Sequence, residues 1–214
     1  MIKNNDFIEL DFNAKIKDSG KVFDTTIKKI AEENHFHQDH EYKPIIICVG
    51  KEDIIRGLDE QLVGKEVKRK YILEIKAEKA FGKKRHDLIK LVPTSLFAQQ
   101  NIKPIPGLQV NLNNIIGTIR SVSGGRTIVD FNHPLSGKTL IYETEVLRII
   151  TDTKEKVESL VSQVSKNYEA LTNEGKLEVK SDISEKTYKR LEEEIKSRVS
   201  EVKEVTFTKL ESAK

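Results

Sequence analysis

Cysteine occurs once in these 214 residues, at Cys48, so no disulfide can close within the chain. Its setting, Ile45-Ile46-Ile47-Cys48-Val49, is that of a buried structural thiol, and a reducing cytoplasm is the expected location. Long apolar runs are missing: none approaches the ~18 residues of a membrane span. The stretch from Met1 to Asp11 lacks the charged-then-apolar plan of a secretion signal, so a soluble protein without a membrane partner is expected. An excess of one charge is missing too. The formal net charge is +3 and the basic residues are spread along the chain, which leaves no concentrated footprint for DNA, RNA or anionic lipid. Nor is there a G-x-x-x-x-G-K loop, an H-E-x-x-H, a C-x-x-C or a G-x-S-x-G, so phosphoryl transfer, zinc hydrolysis and serine hydrolysis have no motif to rest on. No cofactor is expected.

What is present is strand patterning. Ile8, Leu10, Phe12, Ala14 and Ile16 alternate with Glu9, Asp11, Asn13 and Lys15, the period of a strand with one buried face. Asp18-Ser19-Gly20 turns the chain into a second strand, Val22 to Thr25. Residues 26–34 read as weakly helical, and a polar flap from His35 to Lys43 leads to a fully buried strand over Ile45 to Val49. Ile54 to Val63 is a short helix ended by Gly64, and Val67, Arg69, Tyr71, Leu73 and Ile75 form the next strand. The fold class predicted is α+β, with antiparallel strands wrapped on a short helix.

After Gly82 the character changes. Leu88 to Val92 reads as a strand stopped by Pro93, Pro104 to Gly107 as a loop, and Ile115 to Val122 with Thr127 to Phe131 as a hairpin through Gly124-Gly125. Residues 83–131 are therefore expected to form a small β-rich inserted domain. Leu140 to Ile150 then closes the first domain. From Thr151 the pattern is α, β, α, β. Asp152 to Glu155 and Asp182 to Glu185 both read as helix caps, with apolar stripes Val157, Leu160, Val161, Val164, Tyr168 and Tyr188, Leu191, Ile195, Val199, Val202 behind them.

Four motifs carry a resemblance: Phe23-Asp24-Thr25-Thr26, the run from Val49 to Glu60 with Ile54-Ile55-Arg56-Gly57-Leu58-Asp59 at its centre, Glu78-Lys79-Ala80-Phe81-Gly82, and the segment from Val129 through Asn132-His133-Pro134-Leu135-Ser136-Gly137 to Leu140. In this order and spacing they resemble the SlyD-like branch of FKBP-type peptidyl-prolyl isomerases. The resemblance covers residues 1–150, and the tail resembles the C-terminal domain of long archaeal members. It implies an FKBP isomerase domain over 1–82 and 132–150, an inserted chaperone domain over 83–131 and a C-terminal α+β domain of αβαβ order over 151–214.

Prolyl isomerisation needs no covalent chemistry. Amide resonance sets a barrier of ~18–20 kcal/mol, and an apolar cradle that fits the twisted amide better than the planar one lowers it. The resemblance maps that cradle onto Phe12, Phe23, Asp24, Ile45, Ile54, Ile55, Leu58, Phe81 and Tyr142, with the backbone N–H of Ile55 donating to the substrate carbonyl and Leu58 as floor. The family commonly has Tyr at positions 12 and 81. Phe12 and Phe81 lack those hydroxyls, which implies a slower pocket or, as alternative, a non-catalytic holdase; Tyr142 stands where relatives usually have Phe. In the insert, Leu91, Leu96, Phe97 and Ile102 are expected to bind substrate chains through an apolar patch and a strand edge. The implied partners are unfolded or proline-containing polypeptides and macrocyclic inhibitors. A homodimer through residues 151–214, which would make the chain an assembly factor, is the remaining alternative. His35, His37 and His40 have side chains suited to nickel or zinc, but the run reads first as a solvated flap and no metal site is assigned.

Overall fold

The computed structural model describes residues 1–99, 101–112, 114–173 and 175–210, the side chains of 172 and 173 apart. It is a mixed α/β fold with mostly antiparallel sheets and few helices. The described chain forms two compact units, residues 1–75 with 140–210 and residues 76–139.

The first unit contains β1 (Phe7–Ile16), β2 (Val22–Thr25), α1 (Lys28–Glu33), β3 (Ile45–Cys48), α2 (Arg56–Leu62) and β4 (Lys70–Ile75). The second contributes β5 (Ile89–Pro93), α3 (Ser95–Gln99), β6 (Gln109–Leu112), β7 (Ile115–Ser123) and β8 (Arg126–Asp130). The chain returns to the first unit with β9 (Leu140–Ile150), α4 (Thr153–Val161), β10 (Tyr168–Asn173), β11 (Lys176–Ser181), α5 (Glu185–Arg198) and β12 (Glu204–Lys209).

The main sheet is antiparallel in the order β2-β1-β9-β4, with β3 also pairing β1. The alternation in β1 puts Leu10, Phe12, Ala14 and Ile16 on one buried face, as its period requires. Its opposite face is not left to solvent at its start. Register sets Cys48, Phe7 and Ile150 side by side across β3, β1 and β9. This row joins one apolar cluster with Val157, Leu160 and Val161 of α4, Leu177 and Val179 of β11, and Leu191 and Ile195 of α5. Residues 151–210 thus share a core with the first strand.

That tail departs from the predicted α, β, α, β order: it is α, β, β, α, β, with β10 and β11 antiparallel and β12 parallel to β11 across α5. Tyr168, assigned to the first helical stripe, opens β10, because the helix has already ended at Val161. Asp152 caps α4 as expected, its carboxylate accepting from the Glu155 N–H at 2.8 Å. The second cap lies two residues later than predicted. Ser184 accepts from the Thr187 N–H at 3.4 Å, while Asp182 accepts from the Ser165 hydroxyl at 2.9 Å.

The second unit is a four-stranded antiparallel sheet in the order β5-β8-β7-β6. The predicted hairpin between β7 and β8 is present but tighter than expected, its connection being Gly124 and Gly125 alone, with φ of 54° and 74°, the left-handed pair that matches strand twist. Pro93 does not stop β5 short but is its last residue, paired with Arg126; an edge strand tolerates a residue without N–H. Strand β6 and helix α3 lie in stretches to which the sequence pattern assigns no element, on either side of the Pro104 to Gly107 loop. Gly117 admits the sheet's packing, since a Cβ there would lie 2.6 Å from Val129 and 2.8 Å from Phe131.

Candidate active site

The corner after β1 is built from backbone donors and two threonines. The Thr26 hydroxyl oxygen accepts from the Phe12 N–H at 2.8 Å and the Thr25 hydroxyl donates to the Phe12 carbonyl at 3.0 Å. Thr26 also donates to Asp11. These bonds hold β2 against the middle of β1, so that Asp24 lies opposite Ala14, which in turn lies opposite Tyr142 on β9. The Tyr142 ring sits 5.5 Å from that of Phe12 and 6.1 Å from that of Phe23, edge-on to the latter. Such tilted and edge pairs suit aromatic quadrupoles. Phe12 and Tyr142 are buried, Phe23 is half-buried and Asp24 stands exposed at the rim.

The electrostatics follow. Desolvation by neighbouring protein raises the Asp24 carboxyl above the ordinary range, partly offset by a hydrogen bond from the Thr25 N–H and by the charge of His40. Burial, and then the nearby Asp24 carboxylate, push the Tyr142 hydroxyl well above its usual value, so it stays protonated and able to donate. Among the described residues it has no hydrogen-bond partner.

Ahead of α2 the loop is pinned by two carboxylates. Asp59, buried, accepts from the N–H groups of Gly50 at 2.8 Å and Glu52 at 3.0 Å, holding two residues with φ of 81° and 57°. Asp53 accepts from the Cys48 N–H at 2.8 Å and from Arg198 at 2.7 Å. The Arg198 and Asp53 side chains are only 12% and 8% exposed, and they are 145 residues apart in sequence. Sequence reasoning did not find this pair, because no local pattern joins the end of α5 to the loop before Ile54. Beyond the loop, Ile54 and Ile55 are half-buried and Leu58 is fully buried on α2. Ile55 is the residue before the first turn of α2, where an N–H has no partner within the helix.

Strand β3 corrects one expectation: Ile45 and Ile46 are half-buried, and only Ile47 and Cys48 are fully enclosed. Ile45 is open because it lines a cleft of about 660 Å³ together with Phe12 and Asp24. Burial pushes the Cys48 thiol up to about 11, as expected of an inert structural cysteine. The flap histidines His35, His37 and His40 line one cleft of about 620 Å³ together with Asp39 and Tyr42. His40 meets the Tyr42 ring edge-on at 4.9 Å, and among the described residues no group of three His, Cys, Asp or Glu side chains is arranged to hold a metal.

Phe81 belongs to the unit of residues 76–139. Its ring stacks on His133 at 4.5 Å, within 1° of parallel, and its carbonyl accepts from the Ser136 hydroxyl at 2.9 Å. In the same unit, Leu91 and Leu96 are 57% and 42% exposed. Phe97 corrects the expectation that it meets substrate. It is fully buried at the centre of a cluster with Val110, Ile119 and Val129, and Ile102 packs partly buried against it. Phe97 supports the sheet and presents nothing to solvent.

Residues 90–135 match the family described as FKBP26, IF domain. The short-type peptidyl-prolyl cis-trans isomerase of Methanocaldococcus jannaschii is 33% identical over 147 residues, which cover 68% of this chain and 92% of that protein. The FKBP-type 16 kDa peptidyl-prolyl cis-trans isomerase of Escherichia coli is 31% identical over 111 residues, covering 50% of this chain and 74% of that one. The FKBP-type peptidyl-prolyl cis-trans isomerase SlyD of Vibrio cholerae is 28% identical over 122 residues, 53% of this chain and 58% of that protein.

Proposed function

The chain belongs to the FKBP-type peptidyl-prolyl isomerase family, and from that premise we propose that it accelerates X-Pro isomerisation in unfolded or partly folded polypeptides. The observation that carries this reading is the set of Phe12, Phe23 and Tyr142 rings with Asp24 at the rim. Rings of this kind grip a prolyl ring and keep water from the amide; a planar amide held that way loses resonance as it twists, and stabilising the twisted form lowers the barrier without a covalent step. The Ile55 N–H, at the entry to α2, donates to the substrate carbonyl, with Ile45, Ile54 and Leu58 lining the cradle. Phe81 is assigned to the cradle by family position alone, without the hydroxyl that position commonly carries.

The domain reading follows the same family: an FKBP half-barrel over 1–82 and 132–150, an inserted chaperone domain over 83–131, and a C-terminal domain over 151–214. The exposed Leu91 and Leu96, with the free edge of β5, suit capture of unfolded chains by apolar contact and strand addition. Macrocyclic inhibitors are a further ligand class for the cradle. β10 and β12 bound their sheet, and pairing of such an edge would give a homodimer, which light scattering of the full chain tests. We place the protein in the cytoplasm; among the described residues no helix is long and apolar enough to cross a membrane.

Catalysed refolding of a proline-limited protein, alongside turnover of a short X-Pro peptide, tests the function. Acceleration of both is expected, with refolding falling more than peptide turnover when residues 83–131 are removed. Binding of unfolded protein without acceleration of either substrate would leave a holdase. Phe81→Tyr should raise kcat/KM on the peptide by up to roughly tenfold, the worth of about one neutral hydrogen bond in the transition state. An unchanged or lower value removes Phe81 from the cradle.

A further inference from the structure

The cleft that holds Phe12, Asp24 and Ile45 has a second wall. Besides these three cradle residues it is lined by Ser159 of α4 and by Ser162 and Gln163, which follow that helix. We propose that this wall is a binding subsite for the substrate chain beyond its proline, taking extended polypeptide backbone, so that residues 151–210 take part in substrate selection. The proposal rests on the isomerase reading above.

The chemistry of the wall specifies backbone amides. The Ser159 hydroxyl donates to the Lys156 carbonyl at 2.7 Å and the Ser162 hydroxyl to the Ser159 carbonyl at 3.0 Å. Each proton is committed to the helix, which leaves the oxygen lone pairs as acceptors for incoming N–H groups. Ser162 and Gln163 are exposed, and the Gln163 amide supplies both a donor and an acceptor. An extended chain offers N–H and C=O groups alternately along its length, which is the complement of such a strip.

The charges around the cleft do not favour an ionic ligand instead. Glu41 and Lys43 pair with one another at 2.7 Å, and Asp53 is matched by Arg198. That leaves Asp24 and His40 at the cradle end. The wall is also held firmly. Val157, Leu160 and Val161 of the same helix lie in the core shared with Phe7 and Cys48, and Arg198 from α5 fixes Asp53, itself part of the cleft lining. A subsite built on packed helices keeps its geometry better than one on a free loop.

The test uses the full chain, with Gln163→Ala and Ser162→Trp as wall variants and Lys154→Ala, an exposed residue of α4 outside the cleft, as control. A short X-Pro peptide is compared with one extended on both sides of the proline. The ratio of kcat/KM for long over short peptide should fall about fivefold in Gln163→Ala, through KM rather than kcat, because one hydrogen bond to the flanking chain is lost. Ser162→Trp should lower the ratio further by filling the wall, and Lys154→Ala should leave it at the wild-type value. Unchanged ratios in both wall variants, with wild-type circular dichroism and Tm, would overturn the proposal. If the wild type accelerates neither peptide, the isomerase reading fails by itself, and fluorescence anisotropy of the long peptide still reads the wall. Weaker binding by both variants supports it, and equal binding overturns it.

Discussion

The two compact units spend their apolar side chains differently. In residues 1–75 with 140–210, a row of β-strand residues is covered by two helices, and thirteen buried residues form one cluster. In residues 76–139 the described apolar cluster is built on Phe97, Val110, Ile119 and Val129, while Leu91, Leu96, Ile105, Ile115 and Ile116 face solvent. A pocket that must fit a twisted amide needs fixed walls, which a deep core provides. The capture of unfolded chains proposed for residues 76–139 would need exposed apolar area and strand edges on a scaffold just sufficient to hold them.

That contrast breaks most sharply at Phe97. With so small a core beneath the four-stranded sheet, Phe97→Ala should cost about 3–5 kcal/mol, concentrated in residues 76–139. Hydrogen exchange should then show loss of protection in β7 and β8, with β1 and β9 still protected. Uniform loss in both units would mean they are not independent in stability.

Arg198→Met probes the other side. It removes the partner of a nearly buried Asp53 and should cost about 3 kcal/mol, read as a lower Tm, because a charge is left without compensation. Pairing it with Asp53→Asn should recover part of the loss, and a double variant no better than the single would show that the pair does not act as a unit.

The smallest effect is a pH dependence confined to the small sheet. Burial pushes Asp130 up, but hydrogen bonds from Asn132, Arg120 and Lys84 outweigh it and hold the carboxyl well below the usual range. A depressed carboxyl binds fewer protons folded than unfolded, so its stabilisation is present above the ordinary value near pH ~4 and is lost as pH falls through the folded value. Asp130→Asn should lower neutral-pH stability by roughly 1.5–3 kcal/mol and flatten that acid dependence. Resonances of Ile119 and Val129 followed from neutral pH into acid would report it.

How much of this was legible depended on the range of the forces involved. The alternation in β1 and β9, the Asp152 cap and the Gly124-Gly125 turn are local, and each appears where its pattern predicts. Short polar strands such as β6 and β10 carry too little alternation to stand out, so Tyr168 read as helical. The second cap moved because Ser184 and Asp182 are both good acceptors two residues apart, and Ser165, distant in sequence, engages the aspartate. The cluster of Phe12, Phe23 and Tyr142 was accessible through the family resemblance, whereas the α4 lining of the cleft and the Arg198 pair depend on contacts across more than a hundred residues, for which no periodicity exists. Phe97 was misjudged because burial, unlike apolarity, is a property of neighbours.

The row formed by Cys48, Phe7 and Ile150 bears on how the protein is made. Phe7 leaves the ribosome well before the residues that cover it, which extend to Val199 and Val202. Its strand also pairs with β9, more than a hundred residues later, with the whole unit of 76–139 synthesised in between. Long-range pairing of this kind is slow and leaves apolar strands open during synthesis. In a proposed helper of other chains, β1 therefore waits exposed while more than a hundred residues are made, and the smaller unit, local in sequence, has the chance to fold before the pocket exists.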